Sequence, residues 1–350
     1  MKLGIDGRKI PGAVPGGPLP VLRHAHELGL DGVFFRTVLD ISPTLDAGVL
    51  AATRALADEL GLYLECGLGK VNPYASPETP ELRRIGNGDI VAGFRRMMEA
   101  AAAIDCRELW IGTANYKSEF RGRFAYDRFR TDVSWAEQLR AIGAFLQVLA
   151  PIARGHGLHL NLETHEEITS FEVVRLVEGT GPDVTGIVFD TANVLQRLED
   201  PAAAARRVAP YVRQTHLKDA VLVSAPGGLR YQMRPCGTGV VDFAAILPVL
   251  AAANPALNLS METDQPRTGA PLDMLVESAD PAFVAAHPDV TADERQAHAA
   301  LVAGAEARIA AGEIPSVEAW AATPFGVPEA HAYIHESAAH LRGLVPAGVS

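Results

Sequence analysis

The stretch LHLNLETHEEI, residues 158 to 168, joins an alternating apolar run to a cluster of ionisable side chains. Its apolar residues fall at every second position, which is typical of a β-strand. The run ends in Glu163, and His165 with two more glutamates follows directly. Charged side chains are costly to bury, so their presence at the end of a buried strand suggests a function. Active sites of parallel α/β folds lie at such strand ends. The stretch therefore predicts a strand that carries Glu163 to a functional site.

Seven further short apolar runs occur along the chain, separated by amphipathic segments with helical spacing. The eight runs are residues 2–6, 32–36, 62–67, 108–112, 158–163, 185–190, 211–216 and 257–262. Alternating strands and helices are the signature of βαβ units around a parallel sheet. Eight units predict an α/β fold, a closed (β/α)8 TIM barrel, with an open doubly wound sheet as the alternative. The unit before the eighth strand is longer than the others, and we assign its extra residues to a loop.

The chain continues well beyond the eighth predicted strand. Residues 265–350 contain a Pro-rich loop and two long helical patterns. We interpret this segment as the last barrel helix plus a C-terminal helical extension that packs on the barrel or on a partner subunit. The predicted organisation is a catalytic barrel over residues 1–264 and the extension over residues 265–350.

The composition is that of a globular protein, with 48% hydrophobic and 21% charged residues. A formal charge of −11 disfavours binding to nucleic acid or to an anionic membrane surface. The start of the chain lacks a secretory signal pattern, and no apolar run reaches the roughly 18 residues of a membrane-spanning helix. Cys66, Cys106 and Cys236 form no recognisable disulfide pattern. We expect a cytoplasmic protein with reduced cysteines and with neither nucleic acid nor membrane as a partner.

Four of the last predicted strands end in residue types that bind metals: Glu163, Asp190, His216 and Glu262. In a barrel these strand ends are neighbours, so the side chains can converge. Three clustered carboxylates would raise one another's pKa unless a cation neutralised them. Three carboxylates and one imidazole suit a divalent metal, for which we expect Mn²⁺, with Mg²⁺ or Co²⁺ as alternatives. Taken singly, each carboxylate could equally cap a helix or lie in solvent.

The segments NLETH, VFDTAN, THLKD, RPCGTGVVDF and LSMETD, which contain these residues, resemble the xylose-isomerase-like barrel superfamily. The resemblance is to the sugar phosphate isomerase/epimerase branch that includes D-tagatose 3-epimerase and inosose dehydratase. It covers residues 1 to about 265, and its most specific motifs are HLKD at 216–219 and PCGTGVVDF at 235–243. The resemblance implies the same four metal ligands, with Glu163 and Glu262 also acting as acid/base groups on opposite faces of a bound sugar.

The resemblance implies a metal-dependent isomerase or epimerase that acts on a keto sugar or a sugar-like substrate. The metal would stabilise the enediolate that forms when the proton next to the ketone is removed. In many epimerases of this branch a histidine follows the aspartate by three residues, whereas this chain has Asn193. Asparagine can bind substrate but cannot carry a proton, which disfavours a simple free ketose as the substrate. His165 points to the same face as Glu163 on a continuing strand and is a candidate catalytic base, or else a loop histidine.

The sequence ETHEE, residues 163–167, also resembles another branch of the superfamily, the large alpha subunits of C-glycoside deglycosidases. These lyases cleave 3-oxo glycosides and work with a small β-rich partner subunit. The loop at residues 113–130 could line a site for the aglycone, and its Arg121 could hold an anionic group. Lys218 and Arg234 are candidate substrate contacts, and Asp219 is a candidate support for a metal ligand. A homo-oligomer, or a complex with a small accessory subunit, is the predicted assembly around a carbohydrate substrate.

Other functional classes fit the sequence less well. A non-catalytic barrel scaffold is hard to reconcile with four ligands, and an endonuclease IV-like enzyme needs further histidines and a basic groove. HESAAH at 335–340 resembles a zinc-binding helix, but its histidines lie about 140° apart around a helix. His331 and His335 do have the i, i+4 spacing, but with no third ligand nearby in the sequence we interpret them as a solvated helix face. Asp242 is expected to cap the helix after the glycine loop.

Overall fold

The structure is a computed structural model that describes residues 1–12, 16–75, 79–114, 116, 117, 119, 120, 122–263 and 273–345. Its strands in chain order are β1 (Leu3–Asp6), β2 (Gly32–Phe35), β3 (Tyr63–Lys70), β4 (Glu108–Gly112), β5 (His159–Glu163), β6 (Thr185–Asp190), β7 (Val212–His216), β8 (Asp219–Ala225), β9 (Gly228–Arg234), β10 (Leu259–Met261) and β11 (Asp273–Val276). Eight of them form one parallel sheet in the order β10-β1-β2-β3-β4-β5-β6-β7. A bridge between Leu217 and Met261 joins its two ends. The predicted TIM barrel is confirmed.

A ring of helices surrounds the barrel. The helices in chain order are α1 (Pro18–Glu27), α2 (Val38–Ile41), α3 (Ala47–Glu59), α4 (Pro80–Ile85), α5 (Ile90–Ala103), α6 (Trp135–His156), α7 (Ser170–Thr180), α8 (Pro201–Val208), α9 (Phe243–Ala253), α10 (Pro281–Ala285), α11 (Ala292–Ala310), α12 (Val317–Ala321) and α13 (Val327–Leu344). Seven of them pack side by side in the order α1, α3, α5, α6, α7, α8, α9. Helix α13 packs on α9, and its His331 lies against His24 of α1. Its Arg342 donates to the carbonyl of Gly29, two residues after α1, so α13 supplies the eighth barrel helix.

Capping side chains set the ends of these helices. At the start of α6, Ser134 and Glu137 form a reciprocal capping box, which satisfies two otherwise unpaired amides. The helix ends at Gly157 with φ 65°, a left-handed conformation that glycine adopts without strain. The carboxylate of Asp242 accepts from the Ala245 amide at the start of α9, so the predicted cap at this residue is confirmed.

A second, antiparallel sheet replaces the loop predicted between the seventh and eighth barrel strands. Strands β8 and β9 form a hairpin around Pro226 and Gly227, and β11 pairs with the outer edge of β9. The prediction of a simple loop was wrong, because the run DAVLVSA and the run GLRYQMR alternate around a Pro-Gly turn. The hairpin begins at Asp219, three residues after His216, and therefore stands beside the carboxyl end of the barrel.

The segment after the barrel contains both helices and a strand. Helix α11 packs against β8, and β11 joins the antiparallel sheet, so the C-terminal residues are attached to the hairpin as well as to the helical ring. The predicted domain boundary between residues 264 and 265 lies outside the described residues, and the division stays a prediction.

Two features of the chain bear on its surroundings. Cys66, Cys106 and Cys236 are free and buried. Within the ranges that the structure describes, none of the helices combines the length and the apolar character that crossing a bilayer requires.

Tyr63 closes the amino-terminal end of the barrel. Its hydroxyl lies 2.8 Å from the Ser260 hydroxyl, which links the start of β3 to β10 on the other side of β1 and β2. The tyrosine ring passes over Gly4 and Gly32, and a Cβ at Gly32 would lie 2.1 Å from a ring carbon. Glycine is therefore required there by the close approach of the ring.

A Gly32→Ala substitution should destabilise the fold by about 2 to 3 kcal/mol, because the new methyl group must displace the Tyr63 ring in a packed interior. Urea unfolding measures this loss. Gly143→Ala is the matched control, since a Cβ there meets Leu176 at an ordinary 3.7 Å and α6 gains helix propensity. Equal stability of Gly32→Ala and the unmodified chain would contradict this packing.

Candidate active site

Glu163, Asp190, His216 and Glu262 converge at the carboxyl end of the barrel. The first three are the last residues of β5, β6 and β7, and Glu262 directly follows β10. One ligand atom from each lies within 4.8 Å of the others, and all four residues are buried. The structure thus brings together the set that the strand ends indicate. We call these four residues the acidic cluster, and their role as ligands stays a prediction.

Glu163 is held by two ring systems. Oε1 lies 2.8 Å from Nδ1 of His216, and Oε2 accepts a hydrogen bond of 2.7 Å from Nε1 of Trp110. The Phe34 ring packs edge-on against His216 with centroids 4.7 Å apart. Burial would raise the pKa of Glu163, but His216, His165 and other cations outweigh it and hold the pKa well below its usual range. The carboxylate is therefore ionised at neutral pH.

Three basic side chains surround Glu262. The Arg36 guanidinium donates to Oε1 at 2.7 Å, and Nζ of Lys9 lies 3.2 Å from the same oxygen. Nζ of Lys218 lies 2.9 Å from Oε2. Burial would raise the pKa of Glu262, but Arg36, Lys218 and Lys9 hold it well below its usual range. Glu262 is thus an ionised carboxylate whose two oxygens face different cations.

Asp190 connects the acidic cluster to the loop after β6. Its Oδ1 accepts from the Ala192 and Asn193 amides, and its Oδ2 lies 2.8 Å from Nζ of Lys218. The same ammonium lies 3.4 Å from Oδ1 of Asn193. Nδ2 of Asn193 is buried without a hydrogen-bond partner. The predicted substrate contacts Asn193 and Lys218 therefore both lie beside Asp190.

The acidic cluster fits a divalent cation. Nε2 of His216, Oδ2 of Asp190 and Oε2 of Glu262 are buried without a hydrogen-bond partner, although Lys218 lies at ion-pair distance from both oxygens. Unsatisfied buried polar atoms are costly, and the two carboxylate oxygens need a common explanation. An ion bound by carboxylate oxygens and one imidazole would satisfy both oxygens. The nitrogen of His216 that lies near Glu163 and Glu262 is Nδ1, at 2.8 and 3.4 Å from their oxygens.

His165 belongs to a second polar group next to the acidic cluster. Its Nδ1 lies 2.5 Å from Oε2 of Glu167, and the Thr113 hydroxyl donates to the other oxygen of that carboxylate. Burial would lower the pKa of His165, but Glu167 and Glu163 raise it above its ordinary value. Glu167 orients the imidazole, as a carboxylate does when it bonds one nitrogen of a catalytic histidine.

Two predicted site residues have other surroundings. The Arg234 guanidinium donates to Oε1 of Gln232 and to the carbonyl of Pro315, and it stacks over Trp320. These contacts tie it to the C-terminal segment and not to the acidic cluster. Asp219 accepts four backbone amides, of which three belong to residues 237–241, so it holds the glycine loop. Arg121 lies outside the described residues.

Sequence reasoning missed Arg36, Lys9, Trp110 and Glu167. Arg36 directly follows β2 and Lys9 lies three residues after β1, so both carry the strand-end signal that selected the acidic cluster. Trp110 lies inside β4, where an apolar residue predicts only packing, and its donated bond to Glu163 has no sequence signal. Glu167 follows His165 by two residues and could have been paired with it.

The sequence matches the model of a known family over most of its length. The model of the family described as xylose isomerase-like TIM barrel matches residues 22–282, which is most of the chain. The chain belongs to the xylose isomerase-like TIM barrel family. The resemblance seen in the strand-end motifs is confirmed, and those motifs lie largely inside the matched range.

Individual relatives align with shorter parts of this chain than the family model does. An uncharacterised Escherichia coli protein, YihM, is 37% identical over 91 residues, 26% of this chain and 28% of that protein. The 3-oxo-isoapionate decarboxylase of Pectobacterium atrosepticum is 28% identical over 105 residues, 29% of this chain and 38% of the enzyme. The chain thus matches less than half the length of these relatives.

Among solved structures, 3-keto-D-glucoside 4-epimerase from E. coli, YcjR, is similar over 88% of this chain and 99% of its own. Its TM-score is 0.56 and its sequence identity is 17%, so the similarity concerns the fold. The relatives with named activities are enzymes, which supports the prediction that this family member is an enzyme.

Replacing a member of the acidic cluster should remove bound metal. Asp190→Asn or His216→Asn should weaken Mn²⁺ binding on the order of tenfold or more, because a ligand is lost from a buried site. Metal analysis after gel filtration measures the retained ion. Glu166→Gln, in the same loop but outside the acidic cluster, is the control and should bind Mn²⁺ as the unmodified chain does. Equal Mn²⁺ content in all variants would refute the assignment.

Proposed function

We propose that the chain is a divalent-metal-dependent isomerase or epimerase that acts on a keto sugar or a sugar-like ketone. The observation that carries the proposal is the acidic cluster, with its two orphaned carboxylate oxygens at the carboxyl end of the barrel. Active sites of TIM barrels lie at this end. We propose Mn²⁺ as the metal, since hard carboxylate oxygens make up most of the ligand set.

When bound, the cation would polarise the ketone and an adjacent hydroxyl and stabilise negative charge on the two oxygens. Glu163 and Glu262 are both ionised, and their oxygens lie 2.8 and 3.4 Å from Nδ1 of His216. Each can accept or return the proton on the carbon next to the ketone. Two such groups allow the proton to leave from one face of the sugar and to return on the other, which is an epimerisation.

The surrounding side chains would position the substrate. Nδ2 of Asn193 is a buried donor without a partner, so it is suited to a sugar hydroxyl. Lys218 holds Asp190 and Glu262 in place and can contact a second hydroxyl. Arg36 and Lys9 keep Glu262 ionised from the opposite side. A non-catalytic scaffold would have no use for this arrangement of buried charges.

The names of two similar proteins support an oxo group at the third carbon of the substrate. One is the structurally similar 3-keto-D-glucoside 4-epimerase, and the other is 3-oxo-isoapionate decarboxylase. The proposed substrate class is therefore a 3-oxo sugar or glycoside in preference to a simple ketose. This agrees with Asn193 standing where many ketose epimerases of the branch have histidine.

The proposal predicts exchange of a carbon-bound proton with solvent. In D₂O, the Mn²⁺-loaded protein should incorporate deuterium next to the ketone of a 3-oxo glucoside, as followed by proton NMR. Glu163→Gln and Glu262→Gln should each lower the exchange rate about 10²- to 10⁴-fold, because each removes an acid/base group. Glu166→Gln should exchange normally, and circular dichroism should show all variants folded. Full exchange in both glutamine variants would contradict the roles.

A lyase is the second candidate, namely the alpha subunit of a C-glycoside deglycosidase that cleaves 3-oxo glycosides with a small beta subunit. The observation that favours it is His165, held by Glu167 beside Glu163. A bond cleavage that follows proton removal needs a further acid to protonate the leaving group, and this imidazole can supply it. For the epimerase alone, two glutamates are sufficient.

A 3-oxo C-glycoside separates the two candidates. The lyase predicts that the Mn²⁺-loaded protein, co-purified with any small subunit, releases the free aglycone, which chromatography detects. Glu167→Gln should slow this release about 10- to 100-fold by loosening His165, while deuterium exchange persists. Exchange without any released aglycone would reject the lyase and keep the epimerase.

We also propose a cellular location, a domain division and an assembly for this enzyme. We propose a cytoplasmic protein in which residues 1–264 form the catalytic barrel and residues 265–350 an extension packed on it. A homo-oligomer, or a complex with a small accessory subunit, is the proposed assembly, and a carbohydrate is the proposed small-molecule partner.

A further inference from the structure

Two histidines from opposite ends of the chain meet on the outside of the barrel. His24 lies on α1 and His331 lies on α13, and their Nε2 atoms are 3.2 Å apart. The rings meet edge to face, with centroids 5.1 Å apart and planes at 63°. Both side chains are only partly buried, so solvent reaches the pair. The pair shares no residue with the acidic cluster, and the proposed reaction does not use it.

A third histidine stands one helical turn away. His335 follows His331 by four residues on α13 and is exposed. Histidines at i and i+4 lie on one helix face and can bind the same ion. Side chains on a helix lean toward its amino terminus, so the His335 side chain leans toward His331. Burial, His24 and His335 lower the pKa of His331, which keeps this imidazole in the neutral form that binds metals.

The distance within the pair matches a shared ion. Two imidazole nitrogens that bind one tetrahedral zinc at about 2.0 to 2.1 Å lie about 3.3 Å from each other. The observed separation of 3.2 Å therefore needs little rearrangement of His24 and His331. His335 completes the set by rotating its side chain, which is exposed and can turn.

We propose that His24, His331 and His335 form a second metal site, for a divalent transition-metal ion of the zinc class that prefers imidazole nitrogen. Its all-nitrogen ligands distinguish it from the oxygen-rich acidic cluster, which suits Mn²⁺ or Mg²⁺. An ion bound here joins the first helix of the barrel to the last one. Because it binds only when these helices are docked, it stabilises the closed helical ring.

The test uses the tag-free full chain, stripped with a chelator and dialysed against Zn²⁺ in the presence of excess Mn²⁺. The unmodified protein should retain more Zn²⁺ per chain than His24→Ala or His331→Ala by one ion, as measured by metal analysis. Zn²⁺ should raise the apparent Tm of the unmodified protein and not of these two variants. His26→Ala, an exposed histidine on the same helix α1, is the matched control and should behave as the unmodified chain does.

Two further measurements keep the test decisive. His335→Ala changes an exposed side chain and should weaken Zn²⁺ binding on the order of tenfold, even if the other variants fold poorly. With Cu²⁺ as the probe, electron paramagnetic resonance should show at least two nitrogen ligands, and His331→Ala should lose this signal. Equal Zn²⁺ content in the unmodified chain, His335→Ala and His331→Ala would overturn the proposal, as would a Cu²⁺ spectrum without multiple nitrogen ligands.

Discussion

The structure depends on the placement of three carboxylates in one buried space. Glu163, Asp190 and Glu262 would repel one another and bind protons if they stood alone. Arg36 and Lys218 supply part of the balance, at 2.7 to 2.9 Å from carboxylate oxygens. The remaining orphaned atoms point to a divalent cation, which would allow the carboxylates to stay ionised. Burying these carboxylates costs folding free energy. The barrel nevertheless places them together, because the ends of four strands bring side chains from separate chain segments to one point.

Much of the fold could be predicted from the sequence because periodicity and strand number constrain a barrel closely. The eight apolar runs match the eight parallel strands, and the cap at Asp242 follows from residue type and position. The hairpin at residues 219–234 was missed because it lies between the seventh and eighth barrel strands. The alternation of barrel strands and helices predicts only a connecting segment there. Helix α13 occupies the eighth helical position, but a long segment separates it from β10 in the chain. Local sequence patterns do not show where a helix after such a segment packs.

The candidate site could be predicted only where a residue stands at a strand end and has a metal-binding type. That rule selects Glu163 but not Trp110, whose indole donates to it from the neighbouring strand. It does not select Arg36 either, because arginine stands at the end of β2 but is not a metal-binding residue type. Arg234, a candidate substrate contact beside the glycine loop, contacts the C-terminal segment. Contacts between residues that lie 53 to 226 positions apart in the chain decide these cases, and local sequence patterns do not reveal them.

One cation bound among the four residues of the acidic cluster would make the proton transfer possible. Anomalous X-ray scattering at the manganese edge, from crystals grown with Mn²⁺, tests it most directly. We expect a single strong peak about 2.0 to 2.4 Å from oxygens of Glu163, Asp190 and Glu262 and from Nδ1 of His216. A barrel without a peak at this position, or with the ion bound by His165 and Glu167 instead, would contradict it.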